Sequence, residues 1–164
     1  MDQILSKILN DQINLSNESV LTLKTYIISV SKIKNYQDKQ QLLIKILNLI
    51  LLKNQSNSFK LSPKFLSEIL WSLAISKCYN KEALLKMEKN VVESIHKMNE
   101  IDVTQCFYSY CVFQNLAHKK LFNNVLDLLV ERMQNLKRKM NKKSKTLIED
   151  GKKLSGYQNK NLNF

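Results

Sequence analysis

Glycine and proline are nearly missing, with two glycines and one proline in 164 residues, against usual shares of roughly 7% and 5%. Tight turns, β-hairpins and glycine-rich phosphate loops therefore have almost no raw material, which favours an all-helical fold. Cysteine is scarce as well. Cys78, Cys106 and Cys111 are odd in number and form no CxxC pair, so neither a disulfide framework nor a zinc site is indicated. They read as reduced thiols in helical core positions. Arginine occurs only at Arg132 and Arg138 while lysine and asparagine abound, a bias that an A·T-rich genome would impose.

Catalytic motifs are absent too. There is no nucleophile elbow, Walker loop, HExxH or paired-carboxylate pattern. His96 and His118 fall near the ends of different predicted helices with no acidic residue at a catalytic spacing, and read as surface or helix-end histidines. The chain reads as a protein that is not an enzyme and takes no cofactor and no metal. The longest apolar run, LLIKILNLILL at 42–52, is interrupted by Lys45 and Asn48 and is too short for a bilayer core of about 30 Å. It reads as a buried helix, not a membrane span. The first twelve residues, MDQILSKILNDQ, lack arginine and carry Asp2 and Asp11, which makes a poor transit peptide.

What is present is an ordinary apolar content of 44% with 8% aromatics, enough for one domain with a respectable core. The formal charge is +12 and the pI about 9.6. Even with lysine discounted for codon supply, such a surface attracts polyanions, because a lysine near a phosphate releases a condensed counterion.

Apolar residues at spacings of three and four predict a short helix near 2–12, with Ile4, Leu5, Ile8 and Leu9 on one side. Six longer helices follow at about 19–33, 38–53, 63–77, 81–98, 102–114 and 118–140. Ser62 before Pro63 is an N-cap with a first-turn proline, DVTQ at 102–105 has the spacing of a capping box, and Asn80 caps the helix that opens with Lys81 and Glu82. The longest connection, KNQSNSFKL at 53–61, is polar and reads as an exposed loop.

Two of these helices are alike. ILWSLA at 69–74 and CFYSYC at 106–111 share an order of large, aromatic, small and apolar residues at an offset of 37. The same offset pairs Leu66 with Val103, Leu84 with Leu121, Leu85 with Phe122, and Val91 and Val92 with Leu128 and Leu129. An offset of 43 brings YIISVS at 26–31 onto ILWSLA, Ser29 onto Ser72, Tyr36 onto Tyr79 and Leu42 onto Leu85. Three helical hairpins result, about 17–54, 60–98 and 99–136. This period is the signature of an α-solenoid, in which each hairpin buries its apolar face by stacking on its neighbours. Ser29, Ser72 and Ser109 read as small residues at close helix approaches, and Trp71 and Tyr108 as bulky partners filling the next groove rather than as a binding site.

The string LSPKFLSEILWSLA resembles the first helix of heptatricopeptide and octotricopeptide repeats, which are similar to the helical repeats of FAST-kinase-like proteins. The likeness is best in the middle repeat; repeat three has Tyr108 and Cys111, and repeat one Ile28 and Ser31, where the pattern has tryptophan and alanine. The tail after the repeats reads as too short and too polar for a RAP-like domain. The resemblance implies an organellar RNA-binding protein that acts by binding alone. Three hairpins reading one base each would contact only a few nucleotides. The implied role is accordingly that of a structural component of a ribonucleoprotein such as a mitochondrial ribosome, touching rRNA and neighbouring proteins. A protein-interaction adaptor without RNA binding, a transcript-specific processing factor, and a location in another organelle or the cytoplasm are the alternatives.

The domain division is then 1–136 as the helical-repeat body and 137–164 as a basic C-terminal extension. The extension holds nine basic residues against Glu149 and Asp150, +7 of the total +12. Lys137, Arg138, Lys139, Lys142, Lys143, Lys145, Lys152 and Lys153 are the candidate RNA-binding residues, with Tyr157 or Phe164 available to stack on a base. Leu147, Leu154, Leu162 and Phe164 read as too dispersed for a helix core and suited to docking on a neighbour.

Overall fold

The structure, a computed structural model, describes residues 14–34, 37–56, 60–137, 140–159 and 162. Among these residues there are seven α-helices and no strand. They are α1 (Val20–Ser31), α2 (Lys39–Gln55), α3 (Pro63–Ile75), α4 (Lys81–Ser94), α5 (Glu100–Ala117), α6 (Asn123–Asn135) and α7 (Lys142–Ser155). The predicted helix at 2–12 lies outside the described residues.

Local chemistry explains most boundaries. Ser19, Ser62, Asn80, Asn99 and Asn141 each accept a hydrogen bond from the backbone N–H three residues on, satisfying one of the orphan donors of a first turn. At α5 the capping box starts earlier than the sequence suggests. Asn99 is the cap, and the Asp102 carboxylate reaches back to the Asn99 N–H at 3.3 Å, so the helix begins at Glu100 and not at 102. It ends where His118 adopts a left-handed conformation, φ 50°, and α6 consequently starts at Asn123 rather than 118.

The helices form two layers. α1, α3, α5 and α7 pack side by side in the first, and α2, α4 and α6 in the second. First-layer helices run parallel, because equivalent ends meet. Ser76 Oγ donates to the Ser31 carbonyl at the C-terminal ends of α3 and α1. Ser67 Oγ donates to Asp102 at the N-terminal ends of α3 and α5, and Ser144 Oγ to Glu100 at those of α7 and α5. In the second layer Asn54 Nδ2 donates to Asn90 Oδ1, joining the C-terminal ends of α2 and α4. The hairpins α1/α2, α3/α4 and α5/α6 thus stack as a helical-repeat body.

The run at 42–52 is a second-layer helix whose Leu42, Leu43, Ile46, Leu47, Ile50 and Leu51 are all buried. Among the described residues no helix is long and apolar enough to cross a membrane. Burial also corrects the repeat register in the second layer. Leu84, Met87 and Val91 of α4 correspond to Phe122 at the N-cap of α6 and to Val125 and Leu129 within it, all buried, an offset one residue longer than in the first layer. Leu42, matched to Leu85 in sequence, is buried where Leu85 is exposed.

The largest difference from the sequence reading is at the C-terminal end. Residues 142–155, read there as holding no helix, form α7, which packs against α5 along Ser144, Ile148 and Gly151. Ile148 is fully buried, worth about 1.5–3 kcal/mol for a side chain of its size. A Cβ on Gly151 would sit 3.3 Å from Cys111 Sγ and 3.4 Å from Phe107 Cε1, so the two helices meet closely there. Gly156, φ 63°, closes the helix in a left-handed cap. Of the four apolar residues read as dispersed, Leu162 is buried, Leu147 half-buried and Leu154 exposed, and Phe164 lies outside the described residues.

Candidate nucleic-acid interface

Counting from the N-caps shows what α7 is. Ten residues after Ser19, Ser62, Asn99 and Asn141 stand Ser29, Ser72, Ser109 and Gly151, a small residue in every first-layer helix. Ser72 and Ser109 turn their hydroxyls back onto the Glu68 and Gln105 carbonyls at 2.8 and 2.7 Å, so no polar group is left facing the neighbour. At cap+3, cap+7 and cap+10 the residues are buried in α3 (Phe65, Ile69, Ser72), α5 (Asp102, Cys106, Ser109) and α7 (Ser144, Ile148, Gly151). This face meets the preceding helix.

Positions cap+4, cap+8, cap+11 and cap+12 behave differently. They are buried in α1 (Leu23, Ile27, Val30, Ser31), α3 (Leu66, Leu70, Leu73, Ala74) and α5 (Val103, Phe107, Tyr110, Cys111). In α7 they are Lys145, Glu149, Lys152 and Lys153, of which only Lys152 is even half-buried. α7 is therefore a fourth first-layer helix that keeps the contact to its predecessor and carries charge where the others bury apolar side chains, as a capping element of a solenoid does.

The capping helix holds five of the eight predicted RNA-binding residues. Lys142, Lys143, Lys145 and Lys153 are exposed, and Lys152 pairs with Glu149 at 3.0 Å. Lys137 is exposed one element earlier, and Arg138 and Lys139 lie outside the described residues. Other cations are committed to the fold. Lys39 Nζ donates to the Ser31 and Ile33 carbonyls at the end of α1. Lys24 bridges Glu68 at 2.6 Å over the Phe65 ring. Arg132 donates twice to the Met98 carbonyl, at 3.0 and 2.7 Å.

Tyr157 is not available for stacking on a base. It is buried, its ring meets Phe107 edge-on at 5.8 Å between centroids, and its hydroxyl donates to Asp127. Burial and that hydrogen bond push its pKa up. The three thiols are buried and their pKa values raised by desolvation, Cys78 to about 11 and Cys111 to about 12, which leaves them protonated and unreactive near neutral pH. His96 and His118 are exposed. Among the described residues no group of three or more His, Cys, Asp or Glu side chains is arranged to hold a metal ion.

Trp71 and Tyr108 meet across α3 and α5, ring centroids 5.3 Å apart and tilted 44°, which matches their reading as interlocking repeat residues. Both remain partly exposed on the outward face of the first layer, and Trp71 also lines a groove between α5 and α7. The sequence offered one signal for this, the Trp71/Tyr108 equivalence itself.

No known protein family, curated protein or solved structure matches the chain. Surface chemistry is thus what bears on its function.

Proposed function

We propose that this chain is a helical-repeat RNA-binding protein, a structural and non-catalytic component of an organellar ribonucleoprotein, with a mitochondrial ribosome as the assembly and rRNA as the ligand. The observation that carries the reading is the placement of Lys142, Lys143, Lys145 and Lys153 on α7. A capping helix needs only polar residues at its exposed positions, and here half of them are lysine. Because α7 is packed on α5, these cations are held in place before binding, so less conformational entropy is lost when phosphates are engaged. Each neutralised phosphate releases counterions.

The test is the salt dependence of binding to single-stranded RNA, compared between the full chain and K142Q/K143Q/K145Q/K153Q. Four phosphate contacts correspond to a slope of about 0.7 each, so the quadruple variant should flatten the log–log slope by about 3 while its thermal melt stays where it was. Equal slopes, or no saturable binding by the native chain at low salt, overturn the reading. In mitochondrial extracts pelleted at low salt the chain should co-sediment with ribosomes and be released at high salt. A chain that stays in the supernatant argues against that assembly.

A further inference from the structure

The outward face of the first layer is more apolar than packing or phosphate binding requires. Six large apolar side chains are exposed among the described residues, and four of them, Leu21 (60%), Ile75 (47%), Ile101 (58%) and Leu154 (43%), lie at cap+2 or cap+13 of first-layer helices. Ile28, Trp71, Tyr108, Val112 and Leu147 lie between them, each partly exposed. On α5 the outward stripe is Ile101, Gln105, Tyr108 and Val112, and on α7 it is Lys143, Leu147, Asp150 and Leu154. Between these helices runs a groove of about 520 Å³ whose lining includes Trp71, Ile101, Gln105, Lys143, Leu147 and Asp150.

We propose that this groove docks one amphipathic α-helix of a partner protein, about three turns long and acidic at the end that meets Lys143. The length follows from the stripes, whose twelve residues rise roughly 16 Å at 1.5 Å each. The chemistry follows from what lines them. Aliphatic side chains such as Ile101, Leu147 and Leu154 give a nucleobase no hydrogen bond and no ring to stack on, but they suit the i, i+4, i+7 stripe of a helix laid in a groove. A second copy of this chain is the weaker occupant, because two bodies of charge +12 repel and the lysine-rich end of this groove adds to that repulsion. Lys64, Lys142 and Lys143 stand at the end of the face where the first-layer helices begin, which selects acidic residues there, and Asp150, near the middle of α7, selects a basic one opposite. The proposal shares Lys142 and Lys143 with the RNA reading but rests on the apolar stripes, and it stands without that reading.

Trp71 is the chain's single tryptophan, so its emission reports on the groove directly. The probe is a phage-displayed library of about twelve-residue helices with leucine at i, i+4, i+7 and i+11 and all other positions randomised, panned on the full chain. Enriched sequences should share Asp or Glu at one end. A synthetic copy should shift Trp71 emission to the blue and saturate, and its affinity should fall about tenfold or more in I101E and in L147E, whose exposed or half-buried positions leave the melting temperature near native. The proposal is overturned by failure to enrich, by enriched peptides without the acidic end, by binding indifferent to I101E, or by poly(U) quenching Trp71 in competition with the peptide, which would make the groove an RNA site. Lys145 and Lys153 lie outside the groove lining, so K145Q/K153Q, which weakens RNA binding, leaves this assay unchanged, and the two readings fail separately.

Discussion

α5 and α7 are two copies of one helix in different company. Both begin at an asparagine cap, both place a small residue ten positions later, and both bury cap+3 and cap+7 against the helix before them. They part at cap+4, cap+8, cap+11 and cap+12, where α5 has Val103, Phe107, Tyr110 and Cys111 and α7 has Lys145, Glu149, Lys152 and Lys153. The difference separates two contacts that a repeat normally makes together. The backward contact needs a small residue and a close approach, whereas the forward contact and the second layer need bulk. A helix that gives up the second while keeping the first ends an apolar face and offers its outside to other chemistry.

If that division is right, the same position should matter very differently in the two helices. Phe107 is fully buried beside Gly151 and Tyr157, and its change to alanine should cost about 3–5 kcal/mol. Glu149, eight residues after its cap as Phe107 is after Asn99, is exposed, and E149A should change stability by no more than about 0.5 kcal/mol. Urea denaturation with an unchanged m-value measures both. A cost below about 1 kcal/mol for F107A would mean that the α5/α7 seam is not packed as described.

Next in size is the seam itself. G151L must push side-chain atoms into Cys111 and Phe107, which a Cβ alone would already meet at 3.3 and 3.4 Å, and overpacking of this kind costs about 1–3 kcal/mol. G151A should come out nearer to neutral, since alanine gains about 1 kcal/mol of helix propensity over glycine and spends it on those contacts. Finding G151L as stable as the native chain would detach α7 from the body.

The three hairpins were legible because their signals are local. Apolar residues at spacings of three and four and side-chain caps at Ser62 and Asn80 mark helices without any knowledge of what packs on them. α7 carries few such signals. Its seam is Ser144, Ile148 and Gly151, two of which have no hydrophobic weight, and its remaining positions are mostly charged, so a search for apolar periodicity passes over it. A cap followed ten residues later by a small residue would have found it, as would Gly156 as a stop. The lysines of the candidate interface were readable from composition alone. The outward apolar face was legible only in part, since Leu147 and Leu154 read as residues suited to docking, whereas Ile101 looks like a core residue until the neighbours that leave it uncovered are in place.

A small expected effect on folding comes with the largest expected effect on association. Replacing Glu149, Lys152 and Lys153 by leucine gives α7 back the apolar character that α5 has at those positions. Two of the three sites are exposed and the third half-buried, so the isolated chain should unfold within about 0.5 kcal/mol per site of the native one. What changes is the surface, since an apolar stripe uncovered at the end of a solenoid invites a further helix to stack on it. Sedimentation velocity across a range of concentrations should show the native chain as a monomer and E149L/K152L/K153L as a dimer or larger species that dissociates on dilution. If the triple variant stays monomeric, charge at these positions is not what ends the stack, and the burial of Tyr157 and Leu162 beyond α7 must do so instead.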